Sequence, residues 1–340
     1  MYKVSVVIPI YCVEKYIVRC AESLFNQTLK DIQFIFVDDA SPDNSIALLQ
    51  KTIERFPHRK PQTVILHHPK NMGLPTARAT GLSHVEAPYV AHCDSDDYVD
   101  STIYSKLYNN AIRNKSDMVI CGRMTHYADG ASFSSFDRPF LNKSFTYSFL
   151  YDRLRPSVWS RLTKTDIYRR VTFPIENYQE DWVQTAQLLT FSKRISFLDE
   201  PLYHYCIRPH SITTDSTEEL VLKQVQKGIV NYYLMHDFLI QHDQTLKEDD
   251  FILKKQILRV RLLKTKEKYY KKKYLQTFPE INFRLLFNRM VPLHQRAYHL
   301  SVLIGIHPLF YPTYTFFRSI GRWTVPAFLS SHHKTATEQQ

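Results

Sequence analysis

The sequence predicts an α/β protein, a doubly wound and mostly parallel sheet followed by a basic helical appendage, on three observations. Over residues 1–122 short apolar runs alternate with helical patterns, an order that calls for crossover helices between parallel strands. Acidic and aromatic side chains sit where the apolar runs end, which is where open sheets of this kind bind ligands. Positive charge is confined to one region. Residues 254–322 hold fifteen Lys and Arg against two Glu, a net of +13, which leaves −2 for the rest of a chain whose formal charge is +11.

The elements follow in order. Residues 4–10, 32–37, 63–67, 88–93 and 118–121 are apolar runs of buried-strand length, and the stretches 14–27, 45–56, 74–85 and 102–114 between them have helical spacing and open near capping or turn residues. Residues 123–160 are rich in Ser, Asp, Tyr and Phe with weak periodicity, which reads as loops or short strands. A helix is signalled from Glu180, with Trp182, Ala186, Leu188 and Leu189 on a buried face. A strand follows at 195–198, an aromatic turn and loop at 201–208, and two helices over 218–274. The division this predicts is a ligand-binding domain over 1–215, a basic helical region over 216–329 and a frayed tail over 330–340.

Composition limits the classes open to the chain. With 340 residues and 44% apolar content it can bury a sizeable core. Cys12, Cys20, Cys93, Cys121 and Cys206 are odd in number and widely spaced, so they suggest neither a disulfide framework nor a zinc cluster, and a reducing compartment fits them. The sequons at Asn26, Asn114 and Asn142 then count as chance occurrences. Residues 1–10 meet Lys3 and Pro9 too early for a signal peptide. The most apolar stretch, 300–317, is broken by His307, Pro308 and Pro312 before it reaches spanning length.

Two acidic clusters follow apolar runs. Asp94, Ser95, Asp96 and Asp97 place three carboxylates in four residues, whose repulsion a hard divalent cation would relieve; the plain alternative is a solvated turn that caps the next helix. Asp38 and Asp39 end the second strand, too early to cap the helix after Asn44, and a carboxylate there can accept from a nucleobase or a ribose hydroxyl.

Four segments carry a family resemblance: Val4-Ser5-Val6-Val7-Ile8-Pro9-Ile10-Tyr11, Val37-Asp38-Asp39-Ala40-Ser41-Pro42-Asp43-Asn44-Ser45, Asn71-Met72-Gly73-Leu74-Pro75-Thr76-Ala77-Arg78 and Asp94-Ser95-Asp96-Asp97. In this order and spacing the chain resembles the family 2 inverting glycosyltransferases of the bacterial surface-polysaccharide type. The likeness resumes in Val158-Trp159-Ser160-Arg161-Leu162, Gln179-Glu180-Asp181-Trp182 and Pro201-Leu202-Tyr203-His204-Tyr205, and so covers about the first two-thirds of the chain. It implies a GT-A fold in which Pro9 and Tyr11 contact the uracil or ribose, Asp38 or Asp39 the base, and Arg78 the nucleotide or its diphosphate. Asp94 would reach ribose and metal, Asp96 would ligate Mn²⁺ or Mg²⁺ directly, and Asp97 would support both. The sequence departs from the family at Cys12 and Ala79, where Asn is usual.

Glu180 and Asp181 resemble the family's Glu-Asp pair, and Asp181 is the expected base that takes the acceptor proton. Its place in a helix first turn favours the ionised carboxylate; the plain alternative is that both acids only cap the helix. Arg208 and His210 are candidates to hold the leaving diphosphate or the acceptor. The Q-x-x-R-W motif of processive members is missing from the sequence, which implies addition of one sugar at a time.

The basic region interleaves Lys and Arg with Tyr269, Tyr270, Tyr274, Phe283, Phe287, Tyr298, Phe310, Phe316 and Phe317. That pattern suits peripheral contact with an anionic membrane, at the inner face of the cytoplasmic membrane, where a polyprenyl-diphosphate-linked acceptor would lie. A glycan acceptor and packing against another subunit are compatible with it. A nucleic-acid-binding protein would account for the charge but not for the acidic strand ends. A nucleotidyltransferase would need a glycine-rich phosphate loop, and the chain has seven glycines in all.

Overall fold

The computed structural model describes residues 1–208, 217–264 and 268–305. His210, Phe310, Phe316, Phe317 and the 330–340 tail lie outside the described residues. Two compact units are present, Met1–Lys247 and a second that begins at Glu248.

The first unit is built on β1 (Val4–Ile10), β2 (Ile32–Asp38), β3 (Thr63–His67) and β4 (Tyr89–His92), hydrogen-bonded in parallel in the order β3-β2-β1-β4. Every residue of β1, β2 and β4 is buried, as continuous apolar strands in a parallel sheet must be. Helices cover both faces. Val4, Val6, Ile8 and Ile10 pack with α1 (Ile17–Phe25) and α2 (Ser45–Arg55) through Leu24, Phe25, Leu49 and Ile53. Val7, Ile35 and Val37 face α3 (Leu74–Leu82) at Ala77. A helical face with one small residue permits close approach here. A Cβ on Gly81 would fall 2.4 Å from Val7 Cγ1.

Beyond β4 the sheet is mixed. The remaining strands are β5 (Tyr98–Val99), β6 (Met118–His126), β7 (Ser132–Ser135), β8 (Arg161–Lys164) and β9 (Ile195–Cys206), and the order continues β4-β8-β6-β9-β5, with β7 on β6. β8 runs antiparallel to β4 and β6, whereas β6 and β9 pair in parallel. α4 (Ile103–Asn114), α5 (Phe145–Leu150), α6 (Thr165–Tyr168) and α7 (Glu180–Phe191) fill the connections. The strand order reverses between β1 and β4, so the carboxyl ends of β1, β2 and β4 open on one cleft.

Three expectations change. The segment 201–208, read as turn and loop, largely belongs to β9; Pro201 is accommodated because the β6–β9 register shifts at Gly122, opposite it, and a bulge is where a strand tolerates proline. The long helix α8 (Glu218–His242) lies in the first unit, on the near side of the observed division, whereas the sequence reading put a boundary at 215/216. It is held to that unit by Phe191 against Phe238, centroids 5.6 Å apart, and by Asn231 Nδ2 donating to the carbonyls of Glu176 and Tyr178 at 2.9 Å. The second unit contains α9 (Ile252–Val260), α10 (Lys268–Gln276), α11 (Ile281–Phe287) and α12 (Leu293–Leu303), so the described residues of the 218–274 stretch hold three α-helices where two were expected. Among the described residues no helix is long and apolar enough to cross a membrane.

Candidate active site

Strand-end geometry places the predicted residues. Tyr11, just past β1, is 45% exposed, while Pro9 is buried within the strand. At the end of β2 both acids organise loops. Asp38 accepts from the Ser41 backbone N–H at 2.9 Å and lies 2.9 Å from His67 Nδ1. Asp39 accepts from the backbone N–H groups of Met72 (2.7 Å) and Gly73 (2.8 Å) and pairs with His68 Nδ1 at 2.7 Å. Asp39 thereby fixes the turn that launches α3, with Gly73 at φ 88° before its first residue.

The acidic loop after β4 divides its carboxylates by burial. Asp97 is buried and clasps β9: its Oδ2 accepts from the Tyr203 hydroxyl at 2.8 Å and its Oδ1 from the Cys206 backbone N–H at 2.8 Å. The same tyrosine oxygen accepts from the Asp94 backbone N–H at 3.1 Å. Asp94 and Asp96 keep about a quarter of their side chains accessible, and Asp96 forms an ion pair with Arg208 Nε at 2.7 Å. Arg19 braces the loop from α1 by donating to the Asp96 carbonyl at 3.1 Å.

Arg78 joins this loop to α7. Its side chain is 1% exposed, yet one Nη donates to Asp181 at 2.6 Å and approaches Glu180 at 3.4 Å, and the other donates to Asp94 at 3.0 Å. Sequence reading anticipated each of these residues but gave Arg78 to the nucleotide; the structure brings all three acids onto it. Gln179, at φ 61° in the left-handed region, turns the chain so that Glu180 and Asp181 enter the first turn of α7 facing it.

This packing governs protonation. Burial opposes charge on Arg78, but Asp181, Asp94 and Glu180 overcome it and hold the guanidinium firmly protonated. Burial, then repulsion from Asp181, lifts Glu180 to about 8 against the pull of Arg78. Asp181 is also raised, by burial first, with Arg78 pulling the other way, whereas its place in a helix first turn led the sequence to favour the ionised form. At neutral pH Glu180 keeps its proton while Asp181, in direct contact with Arg78, is the better-placed acceptor. Burial and the neighbouring Asp94 raise Asp96, with Arg208 opposing, and Asp97 is raised well above the carboxylate range by burial and by both neighbours.

Among the described residues no three His, Cys, Asp or Glu side chains converge into a closed metal cage. Asp94 and Asp96 still fit Mn²⁺ or Mg²⁺. Hard divalent ions that bind a diphosphate take only one or two protein carboxylates, and Asp94 and Asp96 are the two partly accessible carboxylates of this loop. Tyr203, Arg19 and His68 were missed as supports. Tyr203 lay inside a segment already singled out, whereas nothing in the sequence around Arg19 or His68 marks them.

Comparison with known proteins bears on this arrangement. The family model described as "Glycosyl transferase family 2" matches residues 5–173. The uncharacterized glycosyltransferase EpsJ of Bacillus subtilis strain 168 is 30% identical over 246 residues, 67% of this chain and 69% of that protein. The minor teichoic acid biosynthesis protein GgaB of the same organism is 25% identical over 261 residues, 72% of this chain and 27% of that protein. The crystal structure of S. aureus TarS 1–349 in complex with UDP-GlcNAc has a TM-score of 0.59 at 20% identity, over 93% of this chain and 92% of that one, a likeness of fold.

Proposed function

The chain belongs to glycosyl transferase family 2 and is a glycosyltransferase of GT-A fold, and we propose that it moves one sugar from a nucleotide-diphosphate sugar, in the first place a UDP-sugar, to a hydroxyl of a glycan or polyprenyl-diphosphate-linked acceptor in cell-surface polysaccharide synthesis. The observation that carries this reading is the Arg78 clasp, which sets a candidate base, Asp181, beside the acidic loop that would receive the donor.

The acceptor hydroxyl attacks the anomeric carbon from the side opposite the nucleotide. A C–O bond to the acceptor forms as the sugar–phosphate bond breaks, the electron pair leaves with the diphosphate, and the hydroxyl proton passes to the Asp181 carboxylate. Attack on one face with departure from the other inverts the anomeric centre. Arg78 holds Asp181 in place and limits its rise in pKa. Glu180, protonated at neutral pH, keeps the pair from carrying two negative charges. Asp94 and Asp96 would hold Mn²⁺ or Mg²⁺, which neutralises diphosphate charge when bound, and Arg208 beside Asp96 is placed to accept part of that charge. Tyr11, Pro9, Asp38 and Asp39, at the ends of β1 and β2, would frame the nucleoside end of the cleft. The residue types of the basic second unit support peripheral contact with an anionic membrane at its cytoplasmic face.

A thermal-shift screen of nucleotide sugars with Mn²⁺ tests the reading. Stabilisation by one nucleoside diphosphate class, abolished by chelation, is expected; no stabilisation by any of them would sink it.

A further inference from the structure

A second charged cluster in the first unit takes no part in the chemistry above. Asp137, 8% exposed, accepts from the Arg155 backbone N–H at 3.1 Å, but the guanidinium nitrogens nearest to it, Arg155 Nη1 and Arg161 Nη2, stand 3.9 Å away, beyond hydrogen-bond reach. Arg123, on β6, joins them through Ser135, whose hydroxyl accepts from Arg123 Nε at 3.2 Å and from Arg155 Nη1 at 2.7 Å. Arg161 is 1% exposed, donates from Nη2 to the Arg155 carbonyl, and leaves Nε and Nη1 without a partner.

Two guanidinium groups therefore share one buried carboxylate, and a third joins them through Ser135. Buried cations with unmet donors are costly unless an anion completes them. Burial, then repulsion from Arg155, pushes Arg123 down to about 10, so this crowding acts on the pocket itself. The cluster reaches solvent at Arg155, whose side chain is 31% exposed, and Arg123 lies over the rings of Trp159 and Tyr205 at 5.4 and 5.6 Å. It also adjoins the catalytic group. Trp159 stacks on Tyr203 with centroids 4.2 Å apart, and Tyr203 donates to Asp97; Arg161 and Asp181 influence each other's charge.

We propose that Arg123, Arg155 and Arg161 form a subsite for a phosphate group of the acceptor, seated beside Trp159 and Tyr205. Guanidinium forks match phosphate oxygens in pairs. Arg123 and Arg155 make the contacts and Arg161 supplies charge from the buried side. The proposal rests on the sugar-transfer reading and names its acceptor class, a phosphodiester within a glycan or the diphosphate of a lipid carrier.

The full chain is first saturated with the nucleoside diphosphate that gives the largest thermal shift, so that the donor site is filled. Inorganic phosphate, glycerophosphoglycerol, geranyl diphosphate and, as uncharged control, glycerol are then titrated while tryptophan fluorescence is followed. A saturable response to the phosphates and none to glycerol is expected. Arg123→Gln and Arg155→Gln should each weaken it at least about tenfold, as loss of charge-assisted hydrogen bonds implies, with nucleotide binding unchanged, and Arg123→Lys, which keeps the charge but not the fork, should fall between Arg123→Gln and the parent. Tighter binding of the diester assigns a glycan phosphate, and of the diphosphate a lipid carrier. No saturable response, or one undiminished in both Gln variants, overturns the subsite. A chain that binds no nucleoside diphosphate at all would instead contradict the sugar-transfer reading.

Discussion

Arg78 and Asp181 are 103 residues apart in sequence and 2.6 Å apart in space, and that ion pair couples α3 to α7 at the cleft. The same guanidinium also meets Asp94 and Glu180, so one buried cation serves three carboxylates. Removing it strands negative charge on carboxylates that are three-quarters or more buried.

Arg78→Gln should therefore destabilise the protein by about 3–5 kcal/mol, the usual cost of breaking a buried pair from one side. The loss should shrink as the acids take up protons. Chemical denaturation at pH 8 and at pH 5 measures both; an equal loss at the two values would mean that Arg78 acts through packing alone.

Glu180 gives a prediction of opposite sign. Its folded value of about 8 lies above its ordinary 4.5, so between those values the folded protein retains a proton that the unfolded chain releases, and stability falls as pH rises across the window. Glu180→Gln removes that liability. Its melting temperature should exceed the parent's by a few degrees at pH 8 and converge with it near pH 5; thermal melts across that range would expose the idea as wrong if the order were reversed at pH 8.

Gly81 seats α3, and hence Arg78, against the sheet. Gly81→Ala would put a methyl 2.4 Å from Val7 Cγ1 and 3.2 Å from Val37 Cγ2, an overpacking that should cost about 1–3 kcal/mol. A denaturation midpoint equal to the parent's would show that the helix shifts freely, and the account of a fixed Arg78 would lose its footing.

Cys12 explains one departure from the family pattern as a local strain. It adopts φ 53° just past β1, a left-handed conformation that Asn tolerates better than most residues. Cys12→Asn should stabilise by up to about 1 kcal/mol, read from the shift of the denaturation midpoint; a destabilised variant would show that the thiol makes a contact that matters more than backbone conformation.

The fold was legible in the sequence where burial is continuous. β1 and β2 announce themselves because parallel strands buried on both faces read as unbroken apolar runs, and that placed Asp38, Asp39 and Asp94 correctly at strand ends. β8 escaped notice because its four residues, Arg161, Leu162, Thr163 and Lys164, include one hydrocarbon side chain, although Arg161 is buried. β9 was cut short at Leu198, ahead of Pro201, since a bulge in the partner strand cannot be read from the strand it rescues. In the site, residue types and their place after apolar runs marked Asp38, Asp39 and Asp94 to Asp97, while Arg78, Glu180 and Asp181 were singled out by the family resemblance. Their convergence could not be read, because partners 16, 102 and 103 residues apart meet only through the topology.

The most direct test of the account is sugar transfer by Asp181→Asn under single-turnover conditions, with nucleotide-sugar binding measured on the same protein. Loss of a base contributes typically 10²–10⁴-fold, so transfer should fall by about that factor while donor affinity stays within about threefold of the parent. Transfer at the parental rate would contradict the assignment of Asp181 as the base.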